Sequence, residues 1–376
     1  MRRLTTLTVL ALLIGLMVYQ ASAATERSAP TTLPQGGAER GAAAFPTGTW
    51  NTGIQVQNPT TSTATVQVKF YKQDGSLAYT TSSTTILAGG SATFYLPAIT
   101  DLPDGKYSGV VESDQAVVAV VNETSYDGKG IADAYNGINS GATLLNLPLI
   151  FRGYSSWDSM IAVQNTDASA SASVALNFYE AGATSAKLRV TGTIPALASK
   201  TYDVSTADFN GLSSPFLGSL TITSTTNVAA VAHSAKQTAG YDVLSIYRGF
   251  SSGATKYLAP LIFNQYSPSS TSGWVSGIQV QNLASTADTV TVTMTLSGNT
   301  YTKAKPIGAS SSVTFYLPEF TDIPAGIYGS ATIQSGGNQI VVIVNTTKYL
   351  TGVGNAYNAF PDGSGTIRVV APLAYN

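Results

Sequence analysis

Trp50-Asn-Thr-Gly-Ile-Gln-Val-Gln-Asn58 is the stretch that decides the fold, because the chain repeats it twice. It returns as Trp157-Asp-Ser-Met-Ile-Ala-Val-Gln-Asn165 and as Trp274-Val-Ser-Gly-Ile-Gln-Val-Gln-Asn282. The three tryptophans of the protein all stand at this one position, 107 residues apart from 50 to 157 and 117 apart from 157 to 274. Such a period is too long for a solenoid repeat and fits a small all-β domain of roughly 100 residues.

Each copy continues with short alternating apolar and polar runs that turn residues separate. In the first copy, Ile54 and Val56 alternate with glutamines, the period of a half-buried strand. The most apolar run, Ala116 to Val121, reads as a strand buried on both faces. Seven or eight such runs per copy and no convincing helix predict an all-β protein of three tandem Ig-like β-sandwich domains of about 107–117 residues.

The chain divides into five segments. A basic start, a short apolar run and the sequence Ala21-Ser-Ala23 predict a secretory signal peptide that is cleaved after Ala23. The apolar run is shorter than the roughly 20 residues of a membrane-spanning helix, so no membrane span is expected. The predicted organisation is a signal peptide at 1–23, a flexible leader at 24–46, and β-sandwich repeats at 47–153, 154–266 and 267–376.

The last strand of each repeat contains a proline: Leu147-Pro-Leu-Ile-Phe151, Ala259-Pro-Leu-Ile-Phe263 and Ala371-Pro-Leu-Ala-Tyr375. Proline is confined to sheet edges, because it lacks a backbone donor. We expect this strand to complete the sheet of its own repeat, and pairing with a neighbouring domain or molecule is the alternative. The linkers that follow are too short to act as free tethers, so neighbouring domains should lie close together.

Composition excludes several classes of function. The chain has no cysteine, so its domains must fold on their own cores without disulfides. Charged residues make up 10% of the chain, and no basic patch suggests nucleic acid. Loss of Arg2 and Arg3 with the signal peptide would leave 17 basic and 20 acidic residues, a net charge of −3. A surface with so little charge repels its neighbours weakly, which favours association and would also suit sugar binding.

No catalytic set is apparent. Gly249-Phe-Ser-Ser-Gly253 matches the nucleophile elbow of α/β-hydrolases, but no helix follows it and the single histidine, His233, precedes it. We interpret it as an inter-domain linker. His233 is expected to make a backbone hydrogen bond at a strand end. No pair of acids recurs across the repeats, as glycoside hydrolysis would require. The predicted catalytic and cofactor-binding residues are therefore none.

Four loop aspartates are the candidates for a metal site. Extracellular β-domains often bind Ca²⁺ through loop carboxylates and carbonyls, and the candidate ligands here are Asp101, Asp104, Asp127 and Asp133. No D-x-D-x-D run is present, and side-chain hydrogen bonds within turns also explain these residues. Turn formation is the preferred interpretation, with Ca²⁺ as the alternative.

The remaining recurrent residues are interpreted as structural. Six markers open and close the repeated strand: Trp50, Asn58, Trp157, Asn165, Trp274 and Asn282. The tryptophans are expected where domains meet, and the asparagines where they satisfy the backbone of the following turn. The recurring Tyr135, Tyr247 and Tyr357 are expected to pack or cap the sandwich, with a sugar-stacking platform as the alternative.

The motif W-x3-I-x-V-Q-N, followed by F-Y-L-P, a V-V-x-V-V strand and x-P-L-I-F, resembles exported bacterial proteins of tandem β-sandwich repeats, of the surface-layer, sheath or extracellular-fibre type. The resemblance covers residues 47–376 and implies a secreted or cell-surface structural protein without enzymatic activity. Its implied partners are further copies of itself or other cell-surface proteins. An array of adhesion or carbohydrate-binding modules, with glycans as partners, is the alternative.

Overall fold

The computed structural model describes residues 50–125, 131–237, 242–267, 273–367 and 369. The predicted signal peptide, the leader, Asp127 and the last proline-containing strand lie outside these residues. Within them the protein is an all-β sandwich-type fold, and no described helix is long and apolar enough to cross a membrane. The helical elements described are four 3-10 turns, at Leu96–Ala98, Ala207–Phe209, Leu317–Glu319 and Tyr349–Thr351.

The first domain is a sandwich of two four-stranded sheets. Its strands are β1 (Trp50–Gln57), β2 (Ala64–Tyr71), β3 (Leu77–Thr80), β4 (Thr84–Ile86), β5 (Ser91–Tyr95), β6 (Ser108–Ser113), β7 (Val118–Ser125) and β8 (Ala132–Asn136). The front sheet has the order β5-β1-β7-β8. In the back sheet, β2 pairs with β3 and β4 on one side and with β6 on the other.

The second domain keeps this plan and adds a strand to the back sheet. Its strands are β9 (Ala142–Arg152), β10 (Trp157–Asn165), β11 (Ala172–Glu180), β12 (Leu188–Ile194), β13 (Ser199–Asp203), β14 (Phe216–Gln237) and β15 (Asp242–Arg248). The long β14 joins both sheets. Its first part lies between β11 and β9 in the back sheet, and its second part lies between β10 and β15 in the front sheet.

The third domain repeats the same arrangement. Its strands are β16 (Lys256–Asn264), β17 (Val275–Asn282), β18 (Asp288–Leu296), β19 (Asn299–Ile307), β20 (Ser312–Tyr316), β21 (Ile327–Ser335), β22 (Ile340–Lys348), β23 (Val353–Asn358) and β24 (Phe360–Pro361). The back sheet has the order β19-β18-β21-β16-β24, and the front sheet has the order β20-β17-β22-β23.

The proline-containing strand does not complete the sheet of its own repeat, and this corrects the expectation from sequence. β9, the last strand of the first repeat, pairs with β14 of the second domain. β16, the last strand of the second repeat, pairs with β21 of the third domain. The predicted boundaries, after residues 153 and 266, therefore follow these strands in the chain. In the structure, the second domain begins with β9 and the third begins with β16. We call β9 and β16 the donor strands.

The repeated Trp-to-Asn strand forms the centre of each front sheet, as its alternation predicts. Its isoleucine and valine point into the sandwich and are at most 6% exposed in all three domains. The donor strands supply much of the remaining core. Leu145, Leu147 and Leu149 belong to the core cluster of the second domain, and Tyr257 and Ile262 belong to that of the third.

All three domains meet around one arginine. Arg248, at the end of β15, donates from Nη1 to the carbonyl oxygen of Gly137 in the first domain at 3.4 Å. Its backbone N–H donates to Oδ1 of Asn358 in the third domain at 3.1 Å, and Asn358 Nδ2 donates back to its carbonyl oxygen at 2.8 Å. Burial lowers the pKa of the Arg248 guanidinium. The strands β8, β15 and β23 therefore lie side by side where the domains meet.

Candidate functional site

The donor strands occupy a matching groove in the second and third domains, with the same register in both. On β9, Leu145 lies opposite Ile222 and Leu147 lies opposite Leu220. On β16, the equivalent Tyr257 lies opposite Ile333, and Ala259 lies opposite Ala331. Apolar side chains face each other at both levels, so the register is fixed by which residues can enter the core.

A short segment after the last front-sheet strand holds the other edge of each donor strand. In the second domain, Asn146 and Phe250 exchange two backbone hydrogen bonds, of 2.8 and 2.9 Å. In the third domain, Leu258 of β16 pairs with Phe360 of β24 in the same way. Each donor strand is thus paired on one side with its acceptor strand and, at one or two residues, on the other side with this short segment.

The recurring tyrosine clamps the donor strand at the residue that follows its proline. The hydroxyl of Tyr247 donates to the carbonyl oxygen of Leu149 at 2.6 Å and accepts from its N–H at 3.1 Å. Tyr357 makes the same pair of bonds with Leu261, at 2.7 and 3.3 Å. Burial raises the pKa of both hydroxyls, which stay protonated and able to donate. These tyrosines were predicted to pack or cap the sandwich. In the structure, Tyr247 and Tyr357 each bind the backbone of a strand that belongs by sequence to the preceding repeat.

Two of the tryptophans, Trp157 and Trp274, lie beside a donor strand, and the contacts described for Trp50 and Trp157 also reach a neighbouring domain. The Trp157 ring is 5% exposed and stacks on Phe151 of β9 at 5.6 Å between ring centroids. Tyr316 of the third domain lines the same small cavity as Trp157. Trp50 packs at the edge of the cluster between the first and second domains. In the third domain, Trp274 is only partly buried, 6.1 Å from Phe263.

The asparagine that ends each repeated strand closes the following turn, as predicted. All three asparagines are fully buried. Asn165 Nδ2 donates to the carbonyl oxygens of Ala170 and Ile194 at 2.7 and 3.1 Å, and its Oδ1 accepts from the N–H of Asp167. Asn58 and Asn282 make equivalent bonds in their own domains. The role is structural in all three copies.

Ionisable residues meet at the junction of the first and second domains. Nε2 of His233 lies 3.0 Å from Oε2 of Glu123 in the first domain, so the described partner of this histidine is a carboxylate. Nearby, Oδ2 of Asp133 accepts from the backbone N–H of Ile246 at 2.5 Å. Desolvation raises the pKa of Asp133 to about 7, although backbone donors, including that of Ala356 in the third domain, act in the opposite direction.

The three proposed calcium ligands that the structure describes are not brought together. Asp101 and Asp104 are exposed in the turn between β5 and β6, whereas Asp133 lies at the domain junction and is held there by backbone N–H groups. Among the described residues, no three His, Cys, Asp or Glu side chains come close enough to hold a metal ion. Ser251 of the elbow-like sequence lies exposed in the connection between β15 and β16, as the linker interpretation predicts.

An open cleft of about 590 Å³ lies between the second and third domains. Tyr154, Leu217, Pro306 and Glu319 are among the residues that line it. The cleft combines an aromatic ring, apolar surface and one carboxylate. Such surfaces can bind small polar ligands, so the cleft is the place to test the carbohydrate-binding alternative.

Comparisons with known proteins add little about function. A family described as a family of unknown function (DUF5719) matches residues 43–150, which cover most of the first repeat, including β9 as far as Ile150. No curated protein matches the chain. A crystal structure of Thermotoga maritima 1070 is similar over 29% of this chain and 96% of its own, with 14% identity and a TM-score of 0.24. A bacterial ice-binding adhesin of 1.5 MDa is similar over 80% and 86%, with 15% identity and a TM-score of 0.14.

Proposed function

We propose that the protein is a non-enzymatic structural component of the cell surface or extracellular matrix. In this proposal the chain is exported, and its β-sandwich domains assemble with further copies into a layer, sheath or fibre. The observation that carries it is the direct packing of consecutive domains, in which β9 of the second domain lies against β17 and β22 of the third.

Contacts between consecutive domains suit a load-bearing role. To separate the second domain from the third, a pull must part β9 from β17 and β22, and it would expose buried side chains such as Leu149. Domains joined by a flexible linker alone would move apart without losing such contacts. The three-domain junction at Arg248 adds further contacts that keep the domains from moving independently.

Electron microscopy provides the direct test. Cells that express the protein should carry an ordered layer, sheath or fibre that antibodies against the chain decorate and that disappears when the gene is deleted. The purified protein, without residues 1–23, should form ordered assemblies at high concentration. A protein that stays monomeric at all concentrations and is absent from ordered surface structures would contradict the proposal.

Carbohydrate binding is the second candidate, and the cleft between the second and third domains is the observation that favours it. Glycan arrays should then reveal a ligand whose binding falls at least about tenfold in a Tyr154→Ala variant, the loss that about 1.4 kcal/mol of stacking represents. A matched control is Tyr301→Ala, a tyrosine of β19 outside the lining of the cleft. An array on which the protein binds no glycan would exclude carbohydrate binding as the function.

A further inference from the structure

The first domain has an acceptor edge without a donor strand among the described residues. β6 is the equivalent of the first part of β14 and of β21, because all three pair in the same register with the second strand of their domain. β9 and β16 cover the far edge of these strands in the second and third domains. In the first domain, the described pairing of β6 is with β2 alone.

The core of the first domain is correspondingly less enclosed. Gly109 on β6 is exposed, whereas its equivalents Leu220 and Ala331 are at most 5% exposed. On β7 of the front sheet, Ala119 and Val121 are only partly buried. Their equivalents in the other two domains are at most 2% exposed: Ala230, Ala232, Val342 and Val344. The same apolar groove therefore exists in all three domains, and it is least filled in the first.

The chain contains a third copy of the donor sequence. Gly365-Thr-Ile-Arg-Val-Val-Ala-Pro-Leu-Ala-Tyr375 aligns without a gap with Gly141-Ala-Thr-Leu-Leu-Asn-Leu-Pro-Leu-Ile-Phe151 and with Gly253-Ala-Thr-Lys-Tyr-Leu-Ala-Pro-Leu-Ile-Phe263. We call residues 365–375 the third donor segment. Its Val369 is 85% exposed, whereas the equivalent Leu145 and Tyr257 are 4% and 0% exposed. This side chain thus lies outside any core in the single chain.

A second apolar surface accompanies this segment. Four large apolar side chains of the third domain are exposed around its donor strand: Leu258, Leu261, Tyr328 and Phe360. We call them the end patch. The equivalent surface of the second domain is covered by the front sheet of the third, since β9 lies against β17 and β22. Leu149, the equivalent of Leu261, is 3% exposed there.

The first domain offers the surface that would cover the end patch. Its front sheet contains Gln55 and Tyr95, which correspond to Gln279 and Tyr316 in the sheet that covers the second domain. Tyr316 is 2% exposed, whereas Tyr95 remains more open. The first and third domains therefore carry the two halves of a contact that the second and third domains already make within the chain.

We propose that the third donor segment of one molecule inserts beside β6 in the first domain of a second copy, whose front sheet covers the end patch. The register of the other domains places Val369 opposite Val111 and Ala371 opposite Gly109. It also places Arg368 opposite Glu112, a cross-strand pair of opposite charge, which stabilises antiparallel strands. This inference rests on the proposed structural function and gives its assembly contact.

The leader of the same chain is the competing occupant. Its closest sequence is Leu33-Pro-Gln-Gly-Gly37, in which Gln and Gly stand where the donors have Leu and Ile or Ala. Glycines and a polar residue at these positions would leave the groove of the first domain unfilled, at a loss of roughly 25 cal/mol per Å² of apolar area. The third donor segment has the required Pro-Leu-Ala-Tyr sequence.

Cysteine cross-linking tests the contact, since the chain has no cysteine of its own. Directly opposite residues on antiparallel strands are about 4.5–5.5 Å apart between Cα atoms, within reach of a disulfide. Glu112→Cys and Arg368→Cys are made in separate chains that lack residues 1–23, then mixed and oxidised mildly. We expect a cross-linked dimer from the mixture. Glu112→Cys mixed with Thr366→Cys, two residues out of register, should give at least about tenfold less.

A matched pair of charge substitutions tests the burial of the segment. Val369→Asp should lower the yield of the mixed cross-link at least about tenfold, because the carboxylate would enter an apolar groove. Ile367→Asp should leave it unchanged, since the equivalent Thr143 and Thr255 stay exposed beside their acceptor strands. Both residues are exposed in the single chain, so neither change should impair folding.

The possible outcomes are distinct. A chain with both cysteines that cross-links only within itself would show that the third donor segment closes on its own first domain, and would overturn the proposal. No cross-link in the mixture, or a yield that Val369→Asp does not change, would also overturn it. Ordered assemblies without this cross-link would leave the structural function standing and remove only this contact. Cross-linked chains without any ordered surface structure would support this contact and contradict the proposed structural function.

Discussion

Replacement of Leu147 by alanine tests whether the donor strand β9 stabilises the first domain, to which it belongs by sequence repeat, or the second domain, with which it pairs. Leu147 is fully buried, opposite Leu220 in the core of the second domain. Removal of a buried leucine side chain costs about 2–5 kcal/mol, and a site without solvent contact belongs in the upper half of that range. A cost of about 4 kcal/mol is roughly a thousandfold change in the opening equilibrium of the affected domain. By sequence repeat this residue belongs to the first domain, yet the loss should appear in the second.

Native-state hydrogen exchange, read by mass spectrometry, locates the effect. Amide protection in Leu147→Ala should fall in β11 and in the first part of β14, while β2 and β6 keep theirs. Val68→Ala is the matched control, because Val68 is fully buried in the first domain and should lower protection there instead. If Leu147→Ala loosens the first domain and spares the second, the donor-strand assignment is wrong.

Three further predictions concern the seams and the turns. Trp157→Ala should cost about 3–5 kcal/mol in urea denaturation and Trp274→Ala clearly less, because only the first ring is fully packed; equal losses would contradict this. Asn165→Ala should cost about 1–3 kcal/mol, since buried backbone groups lose their partner; an unchanged denaturation midpoint would show that the turn is not held by this side chain. Burial raises the pKa of Asp133 to about 7, so the folded state binds this proton more tightly than the unfolded chain does. The stability that results is present below about pH 4 and is lost as the pH rises to about 7, by at most about 4 kcal/mol. Asp133→Asn should reduce that slope.

The strands of each sandwich could be predicted from local pattern. Alternation places Ile54 and Val56 on one face of a strand, and the structure buries both. The turn after Asn58 was predictable for a similar reason, since asparagine commonly satisfies turn backbone. Both features depend on residues that are near one another in sequence, so one copy of the repeat contains all the information needed.

The partner of the donor strand could not be predicted in this way. A repeat in sequence gives the length of the unit but not the point at which the folded unit begins. β9 follows β8 after a short connection and precedes β10 after another, so both assignments are compatible with the chain. Only the core decides between them: the groove that Leu145 and Leu147 fill lies beside β14. Which groove is open depends on residues about 70 positions away, which no local pattern records.

The junction residues were missed for a related reason. Asp133 resembles other loop aspartates in sequence and was grouped with Asp101 and Asp104 as a candidate calcium ligand. The fold separates them, because Asp133 lies on β8, where the second and third domains enclose it. The tyrosine of the same motif gave a usable signal, since Tyr135, Tyr247 and Tyr357 recur at one position. Its target, the backbone beyond the donor proline, lies about 100 residues earlier in the chain.

The described donor strands are all passed in one direction along the chain, from one repeat to the domain that follows it. Each described donor strand is supplied by the preceding repeat and accepted by the following domain, so the two ends of the molecule present different surfaces. A contact between unlike surfaces is heterologous, and it produces a closed ring or an open helical filament according to the rotation between units. Within the chain, Arg248 of the second domain bonds to both of its neighbours. If the proposed contact between molecules repeats the contact between the second and third domains, each added molecule is related to the last by the same rotation, and that rotation alone decides between a closed ring and an open helical filament.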